Sequence, residues 1–395
     1  MNHFPGEKPL SDAPALRVCH VVASLNPRMG GLPKTAMALA CAQAEGGAET
    51  AVLYYGTEKG ETEVVEAYGR FPGFERVCRL RVPRACWEPL TTVRAMRALS
   101  EFEPDVIHTH GLWEPLLRRA HGLAERKGIP FVILPHSMLH PWQMKHKRVP
   151  KWILKNMLGW RNAWRNASFV QVLSEEEGAH WRAIGVERTV RVPNGVFPGE
   201  DPGDGPLEIE GWNGEPFVLF LSRLHEQKAP EVLLAAFASL AQEIPGCTLI
   251  FAGPDYGMRS TLTHRIRAMG LEDRVLMAGV LKGRRKWAAL HQTACYCLLS
   301  RAEGFSLSLL EAALAGAPCL ISDKCYFPEL VEAGGAEVSE VDAAEVREKL
   351  RALLLDPDRA EGMGRKARDF VTRDYTWDEM ARRLMDAYRD VGAGR

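Results

Sequence analysis

Short apolar runs alternate with amphipathic, helix-like stretches along almost the whole chain, and this alternation constrains the fold more than any other feature. Arg17–Ser24, Val106–His110 and Phe217–Ser222 are apolar runs of strand length. Continuous apolar strands separated by helices are typical of parallel sheets covered on both faces. The pattern therefore predicts an α/β fold of doubly wound parallel sheets. Further strands are predicted at Thr50–Tyr55, Phe131–Leu134, Ser168–Leu173, Cys247–Ala252, Val275–Ala278, Cys295–Leu299 and Pro318–Ser322.

The alternation is interrupted once, between Phe197 and Pro216. This segment, FPGEDPGDGPLEIEGWNGEP, is rich in Gly, Pro and acidic residues and has no periodicity, which indicates a linker. Because 395 residues exceed the usual size of one core, we expect two Rossmann-like domains facing each other across a cleft. The expected parts are a disordered lead-in over 1–16, an N-terminal domain over 17–197, the linker over 198–216, a C-terminal domain over 217–373, and a C-terminal helix over 374–395 that returns to the N-terminal domain.

The charge balance and the hydropathy exclude two broad classes of protein. Lys and Arg together number 50, as do Asp and Glu, so the formal net charge is zero. General nucleic-acid binders are usually basic, so we expect no nucleic-acid partner. No apolar run reaches the roughly 18 residues of a membrane span, and the polar N-terminus lacks the apolar segment of a secretory signal. We therefore expect a cytoplasmic protein.

The segment RAEGFSLSLLEAALAGAPCLISD holds the densest set of candidate functional residues. A helix is predicted to start near Ser306 and to end before Gly316, a natural C-cap. The backbone N–H groups of Ser306 and Leu307 would then form an anion site suited to a diphosphate. Glu303 before the helix and Glu311 inside it could bind two hydroxyl-bearing parts of one ligand. Judged by spacing alone, both acids could equally be ordinary surface residues.

This segment resembles the E-x7-E signature of retaining GT-B glycosyltransferases, especially family 4, often written EGFGLxxxEAMAxGxPVI. Glu303 and Glu311 occupy the two acidic positions, and Ser306 replaces the usual glycine. The resemblance implies that Glu303 contacts hydroxyls of the donor sugar and that Glu311 holds the ribose of the nucleotide. The other matching residues are Gly304, Phe305, Leu307, Ala312, Gly316 and Pro318.

Two further segments agree with the same family. LFLSRLHEQKAPEVLLAAF resembles its GRLxxxKG segment, which implies that Arg223 and Lys228 bind the donor diphosphate. Arginine can bind phosphate with two parallel hydrogen bonds, and lysine adds a compact charge. Ala229 replaces the glycine that follows the family lysine. Gly30 and Gly31 match its glycine-rich loop, where a backbone N–H can approach the pyrophosphate or the reacting centre closely.

Histidines follow two predicted strands. His136 in VILPHSMLHPW matches a family histidine that lies against the donor sugar, which implies a catalytic position. His108 and His110 end another strand, and His110 is a weaker candidate. A lone histidine is more often structural than catalytic, so this alternative stays open for each of them.

The resemblance implies that a sugar is transferred, with retention of configuration, from a UDP-, GDP- or ADP-sugar to a glycan or lipid-linked acceptor in surface-polysaccharide synthesis. We expect no cofactor and no metal, because Arg223, Lys228 and the helix N-terminus near Ser306 could stabilise the leaving diphosphate. Two alternatives remain: a nucleotide-sugar epimerase on the same fold, and a non-catalytic subunit that binds nucleotide sugars.

One stretch could also contact a membrane peripherally. Residues 145–165, KHKRVPKWILKNMLGWRNAWR, contain seven basic residues and no acid, with tryptophans between them. Basic side chains can meet anionic headgroups while tryptophans lie at the interface. A buried helix with its tryptophans in the core explains the pattern equally well, and an acidic acceptor is a third possibility.

Overall fold

The computed structural model describes residues 15–83, 88–142 and 160–393. Within these residues the chain forms two sheets, and all strand pairs in both sheets are parallel. The predicted lead-in over 1–16 lies outside the described residues except for Ala15 and Leu16.

The first sheet contains β1 (Arg17–Val22), β2 (Glu49–Tyr55), β3 (Cys78–Val82), β4 (Val106–His110), β5 (Phe131–Leu134), β6 (Phe169–Val172) and β7 (Thr189–Arg191). The second contains β8 (Phe217–Leu221), β9 (Thr248–Ala252), β10 (Val275–Gly279), β11 (Cys295–Leu298), β12 (Cys319–Ser322) and β13 (Ala336–Ser339).

The described α-helices of the first half are α1 (Gly31–Glu45), α2 (Glu58–Tyr68), α3 (Glu88–Phe102), α4 (Pro115–Lys127), α5 (Trp160–Asn166) and α6 (Glu175–Arg182). Those of the second half are α7 (Pro230–Leu240), α8 (Arg259–Ala268), α9 (Gly283–Gln292), α10 (Leu307–Ala315), α11 (Pro328–Glu332), α12 (Ala343–Leu355), α13 (Pro357–Asp374) and α14 (Trp377–Ala393).

Both sheets reverse their direction of growth near the middle. The strand order is β3-β2-β1-β4-β5-β6-β7 in the first sheet and β10-β9-β8-β11-β12-β13 in the second. The reversal therefore falls between β1 and β4, and between β8 and β11. Open α/β sheets bind ligands at the carboxyl ends of the strands beside such a reversal. Gly30 follows β1 and His110 is the last residue of β4, while Arg223 follows β8 and Glu303 follows β11.

The last helix, α14, packs against the first half of the molecule. The hydroxyl of Tyr388 lies 2.6 Å from Nδ1 of His108. Before the helix, Val196 and Thr376 form an isolated parallel bridge. A Cβ at Gly195 would lie 2.7 Å from the backbone nitrogen of Trp377, so a larger residue would push the two segments apart.

The basic segment 145–165 is described only from Trp160 onward. Trp160 and Trp164 are buried at 2% and 0% exposure, and Trp164 packs edge-on against Trp113 and Trp181. The hypothesis that these two tryptophans lie at a membrane interface is therefore wrong, because their rings belong to the core of the first half. The prediction for residues 145–159 concerns residues outside those that the structure describes. None of the described helices is long and apolar enough to cross a membrane.

Candidate active site

Lys228 and Glu303 form a buried ion pair at the carboxyl ends of β8 and β11. Their side chains are 6% and 12% exposed. The hydroxyl of Ser300 donates to Oε2 of Glu303 at 2.8 Å. Burial alone would raise the pKa of Glu303, but Lys228, Ser300 and the charge of Arg223 outweigh it and hold this pKa below its ordinary value. The loop therefore presents an ionised carboxylate beside a cation.

The structure also explains why alanine can follow Lys228. Ala229 has a φ of 47°, in the left-handed region that favours glycine. It ends the 3-10 turn Glu226–Lys228, and its backbone N–H donates to the carbonyl of Glu226 at 3.1 Å. The turn thus forms here without a glycine, and the left-handed conformation of Ala229 stores backbone strain.

Arg223 differs from Lys228 in its exposure. It follows β8, is exposed to solvent, and places its guanidinium 5.3 Å from the centre of the Tyr256 ring. A planar guanidinium can bind two phosphate oxygens at once, whereas a lysine acts as a point charge. The strand end thus combines a buried cation with an accessible one.

Glu311 lies inside α10, and its carboxylate forms ion pairs with two lysines. Its Oε1 is 2.8 Å from Nζ of Lys34 in α1 and 2.9 Å from Nζ of Lys286 in α9. Lys34 also lies 2.9 Å from Glu200. Although burial opposes ionisation, the two lysines lower the pKa of Glu311 to about 2. This carboxylate is therefore ionised at neutral pH and joins the two halves of the chain.

Helix α10 begins at Leu307, directly after Ser306. The hydroxyl of Ser306 caps the helix by accepting the N–H of Leu309 at 3.3 Å. The buried ring of Phe305 stacks on Tyr375 at 5.8 Å between centroids. The carbonyl of Phe305 accepts the side-chain amide of Asn194 at 2.9 Å. These contacts fix the direction of the helix, whose first N–H groups carry its positive dipole end.

Two glycines allow the halves to touch. A Cβ at Gly304 would lie 2.8 Å from Oγ of Ser137, and a Cβ at Gly31 would lie 3.2 Å from Cδ1 of Leu307. Gly30 has a φ of 91°, which residues with a side chain rarely adopt. The glycine loop after β1 and the loop after β11 are therefore neighbours. We call this contact between the two halves of the chain the seam.

His136 lies in a strained turn after β5. His136 and Ser137 have φ values of 52° and 55°, both in the left-handed region. The carboxylate of Glu177 holds this turn by accepting the N–H of Ser137 and, at 2.8 Å, that of Leu173. Burial lowers the pKa of His136, so the ring is neutral at pH 7. Its Nε2 has no hydrogen-bond partner among the described residues.

Three more histidines are buried below this turn, and their ligand atoms lie within 4.8 Å of one another, so they could hold a metal ion. All three take part in hydrogen bonds in the structure. His20 is 2.9 Å from His110 and 2.8 Å from the side-chain oxygen of Gln43, and His108 meets Tyr388. Because an amide oxygen only accepts, Nε2 of His20 carries a proton and its Nδ1 accepts from His110. Burial lowers the pKa of all three imidazoles, which are neutral at pH 7.

All the predicted site residues thus lie along one seam, while several of their partners were not predicted. Lysines outside any recognised motif carry no sequence signal for a contact with a distant acid. Asn194, which binds the carbonyl of Phe305, stands in the short segment VPNGV just before the predicted linker. The partners missed are Lys34, Ser137, Glu177, Lys286 and Ser300.

Comparisons with known proteins decide the family. Residues 29–199 match the family model described as Glycosyltransferase Family 4, and residues 208–370 match the one described as Glycosyl transferases group 1. The chain belongs to these glycosyltransferases. The two matches meet near the predicted linker.

Relatives of this glycosyltransferase include a GDP-mannose-dependent alpha-(1-6)-phosphatidylinositol monomannoside mannosyltransferase of Mycobacterium tuberculosis. It is 30% identical over 190 residues, which are 46% of this chain and 49% of that enzyme, so the match spans about half of the relative. LpcC of Rhizobium leguminosarum bv. viciae, a lipopolysaccharide core biosynthesis mannosyltransferase, is 23% identical over 304 residues, covering 71% of this chain and 82% of LpcC.

The fold of the glycosyltransferase is shared with solved structures. HepE of Anabaena, in complex with UDP and glucose, superposes with a TM-score of 0.76 over 95% of this chain and 100% of HepE, at 18% identity. The predicted GT-B fold, with two Rossmann-like parallel-sheet domains, is therefore confirmed.

Proposed function

We propose that this glycosyltransferase moves a sugar from a nucleoside-diphosphate sugar to a saccharide acceptor with retention of configuration. The observation that carries the proposal is the convergence of opposite charges at one strand end. Lys228, Arg223 and the start of α10 surround the ionised Glu303, and the ionised Glu311 lies one to two turns further along the helix.

Each group has a separate part in the proposed transfer. Arg223, Lys228 and the N–H groups at the start of α10 would bind the diphosphate and stabilise the charge that develops as it leaves. Glu303 would accept hydrogen bonds from hydroxyls of the donor sugar, and Glu311 from the ribose. Both carboxylates suit this task because their lowered pKa values keep them ionised.

Retention fits a front-face reaction in which a leaving phosphate oxygen takes the proton of the acceptor hydroxyl. His136 would lie against the donor sugar as a neutral imidazole, because its lowered pKa prevents it from competing for that proton. Closure of the two halves over the donor would exclude water, which otherwise hydrolyses the donor.

We propose a cytoplasmic protein that acts in surface-polysaccharide synthesis, with a glycan or a lipid-linked saccharide as acceptor. The name of the relative LpcC supports this setting. Peripheral membrane contact through residues 145–165 would depend on the basic residues of this segment, of which Arg161 and Arg165 are exposed, and not on the buried Trp160 and Trp164. Co-sedimentation with anionic and neutral vesicles tests it, and protein that stays in the supernatant with anionic vesicles at low salt would refute it.

A thermal-shift screen against UDP-, GDP- and ADP-sugars, followed by an assay of nucleotide release, tests the proposed activity. A ligand that binds only the native state raises the melting temperature by mass action. We expect one nucleotide class to stabilise the protein and its sugar form to release free nucleoside diphosphate. An epimerase would return an isomeric nucleotide sugar, and a non-catalytic subunit would bind the donor without turnover.

A further inference from the structure

Aromatic rings from both halves of the chain meet at the seam beside His136. The ring of His140 lies 6.3 Å from Tyr326 and 5.3 Å from His180, and the ring of Trp142 lies 5.6 Å from His225. All five side chains are partly exposed. We call these five residues the aromatic rim.

The rim is continuous with the residues proposed to hold the donor. His140 and Trp142 continue the turn that begins at His136, and the N–H of His140 donates to the carbonyl of Ser137 at 2.9 Å. On the other side, His225 stands between Arg223 and Lys228 in the loop after β8. Its Nδ1 accepts the N–H of Gln227 at 3.2 Å, which fixes the ring beside the ion pair.

Tyr326 stands in a loop that is linked to Glu303 by hydrogen bonds. It follows Cys325 in the loop after β12. In that loop the hydroxyl of Ser322 donates to the carbonyl of Ser300 at 2.6 Å, and Ser300 in turn binds Glu303. The rim is thus anchored on two loops that carry proposed donor contacts and on a third, after β12, that is hydrogen-bonded to Ser300, the partner of Glu303.

The opposite side of the seam has a different character. There Glu200, Lys34, Glu311 and Lys286 form a continuous line of ion pairs. Lys34 belongs to α1, which follows β1, whereas His140 and His180 belong to the connections after β5 and β6. In the sheet, β4 lies between β1 and β5, so the two sets are separated along the sheet edge. The charged side holds the carboxylate assigned to the ribose. An acceptor that must reach the donor sugar would therefore approach from the aromatic side of the seam.

We propose that the aromatic rim is the binding site for the acceptor, and that this acceptor is an uncharged saccharide unit stacked on Trp142 and Tyr326. The proposal rests on the proposed sugar transfer and names its second substrate. The C–H groups of a pyranose face carry partial positive charge and pack against the negative face of an aromatic ring. The imidazoles and the Tyr326 hydroxyl would bind its hydroxyl groups, as in sites where a few polar groups orient a ligand among aromatic rings.

Two observations favour an uncharged acceptor over an anionic one. Arg223 and Lys324, which stand within two residues of the rim, are already engaged, because Arg223 is assigned to the donor diphosphate and Lys324 pairs with Asp323 at 2.5 Å. Burial, with the neighbouring His180, lowers the pKa of His140 despite the opposing effect of Glu176, so this ring is neutral at pH 7. A phosphate or carboxylate of the acceptor would find no matching charge on these five side chains.

Methyl α-glycosides of the common hexoses, supplied as acceptors with the donor found by thermal shift, test the proposal. Trp142→Ala and Tyr326→Ala should each raise the KM for the best glycoside about tenfold, the upper range for one lost ring contact. Both should also raise the ratio of donor hydrolysis to sugar transfer. Trp142→Phe should restore most of the acceptor affinity. Saturation-transfer NMR with the same glycoside should lose its signal in both alanine variants.

Trp212→Ala is the matched control, because this partly exposed tryptophan packs on Phe217 at the start of β8, away from the seam. This variant should keep the wild-type KM for the glycoside, the wild-type ratio of hydrolysis to transfer, and the NMR signal of the bound glycoside. If the rim only closes the domains, hydrolysis and transfer will fall together with KM unchanged, and the proposal is wrong. If no donor releases nucleotide in the wild type, the proposed function fails instead, and loss of the NMR signal in the variants still identifies the saccharide site.

Discussion

The carboxyl edges of the two sheets meet at the seam, and we call them the first edge and the second edge after their sheets. They bury their polar groups in different ways. At the first edge the buried groups are imidazoles, His20, His108 and His110, which stay neutral because burial lowers their pKa values. At the second edge they are ion pairs around Glu303 and Glu311. The ionised groups of the second edge therefore lie where the diphosphate and the hydroxyls of the donor are proposed to bind, whereas the buried imidazoles of the first edge carry no charge.

The difference has an energetic consequence. A neutral imidazole that loses one hydrogen bond costs the desolvation of one polar group, whereas an ionised group that loses its partner is left as a buried charge. The second edge should therefore tolerate substitution less well than the first. The predictions below test this contrast, beginning with the largest effect.

Removal of Lys228 should cause the largest loss. Lys228→Ala leaves the carboxylate of Glu303 buried without its main partner, which should lower the free energy of unfolding by about 3–5 kcal/mol. Arg223→Ala removes an exposed cation, so it should leave unfolding nearly unchanged while it weakens donor binding by about 1.5–3 kcal/mol. Urea unfolding and calorimetric titration with the nucleoside diphosphate measure the two effects. Equal stability of the two variants would contradict the contrast between buried and exposed cations, and unchanged donor affinity in both would remove them from the site.

The two edges should lose stability in different pH windows. The folded pKa of His20 is about 4 against an ordinary 6.5, so the unfolded chain binds more protons between these values, and stability falls as the pH drops from 6.5 to 4. This shift corresponds to about 3 kcal/mol. Glu311, with a pKa of about 2 against 4.5, loses its contribution only below pH 4.5.

Urea unfolding across pH 3 to 8 (chosen to span roughly both windows) measures the profile. His20→Asn should lessen the fall in stability between pH 6.5 and 4 without abolishing it, because the lowered pKa values of His108, His110 and His136 act in the same window. His264→Asn, at an exposed position of α8, is the matched control that should leave the profile unchanged. A wild-type profile that is flat between pH 6.5 and 4 would show that the imidazoles are not held neutral as described.

The two acids of the second edge should divide their effects between sugar and nucleotide. Glu303→Gln should lower turnover more than nucleotide affinity, because its proposed contact is with the sugar. Glu311→Gln should weaken the binding of free nucleoside diphosphate by about 1.5–3 kcal/mol, because the ribose loses a hydrogen bond to a charged group. Steady-state kinetics and titration with the free nucleotide separate the two. If both variants bind the nucleotide as the wild type does, the proposed division is wrong.

The strands that sequence predicted and those it missed differ in position. The missed strands β3, β7 and β13 all lie at sheet edges. In β3, CRLRV, most residues are exposed or partly exposed, so no continuous apolar run marks the strand. Interior strands are covered by neighbours and helices on all sides, which forces the apolar runs that sequence reveals.

The candidate site shows the same limit. Glu303, Arg223 and Lys228 could be found because they occupy positions of the family's motifs just after predicted strands. Lys34 and Lys286 could not, because their contact with Glu311 depends on how the two halves pack. Distant charge partners follow from tertiary structure, not from local spacing.

The contact between the two edges can be changed at a single atom. Gly304→Ala would place a methyl group 2.8 Å from Oγ of Ser137, which should force the loops apart. Crowding of this kind costs roughly 1–3 kcal/mol, and we expect a matching loss in kcat/KM. Adding Ser137→Gly should restore activity, because it removes the clashing atom and suits a φ of 55°. Gly205→Ala, with no neighbour within 4 Å, is the control. A double variant as impaired as Gly304→Ala alone would refute the contact.

The smallest expected effect is that of metal removal. His20, His108 and His110 could together hold a metal ion, so the first edge offers a test of whether its imidazoles act as ligands or as hydrogen-bonding groups. In the structure Nδ1 of His20 accepts from His110, and a metal would have to break that 2.9 Å contact. At the second edge, Arg223, Lys228 and α10 supply the positive charge that a metal would otherwise provide. Exhaustive treatment with EDTA should therefore leave sugar transfer and the melting temperature unchanged. Loss of turnover that manganese or magnesium restores would assign a metal to the donor diphosphate. A fall in melting temperature that zinc reverses, absent in His20→Asn, would assign one to the imidazoles.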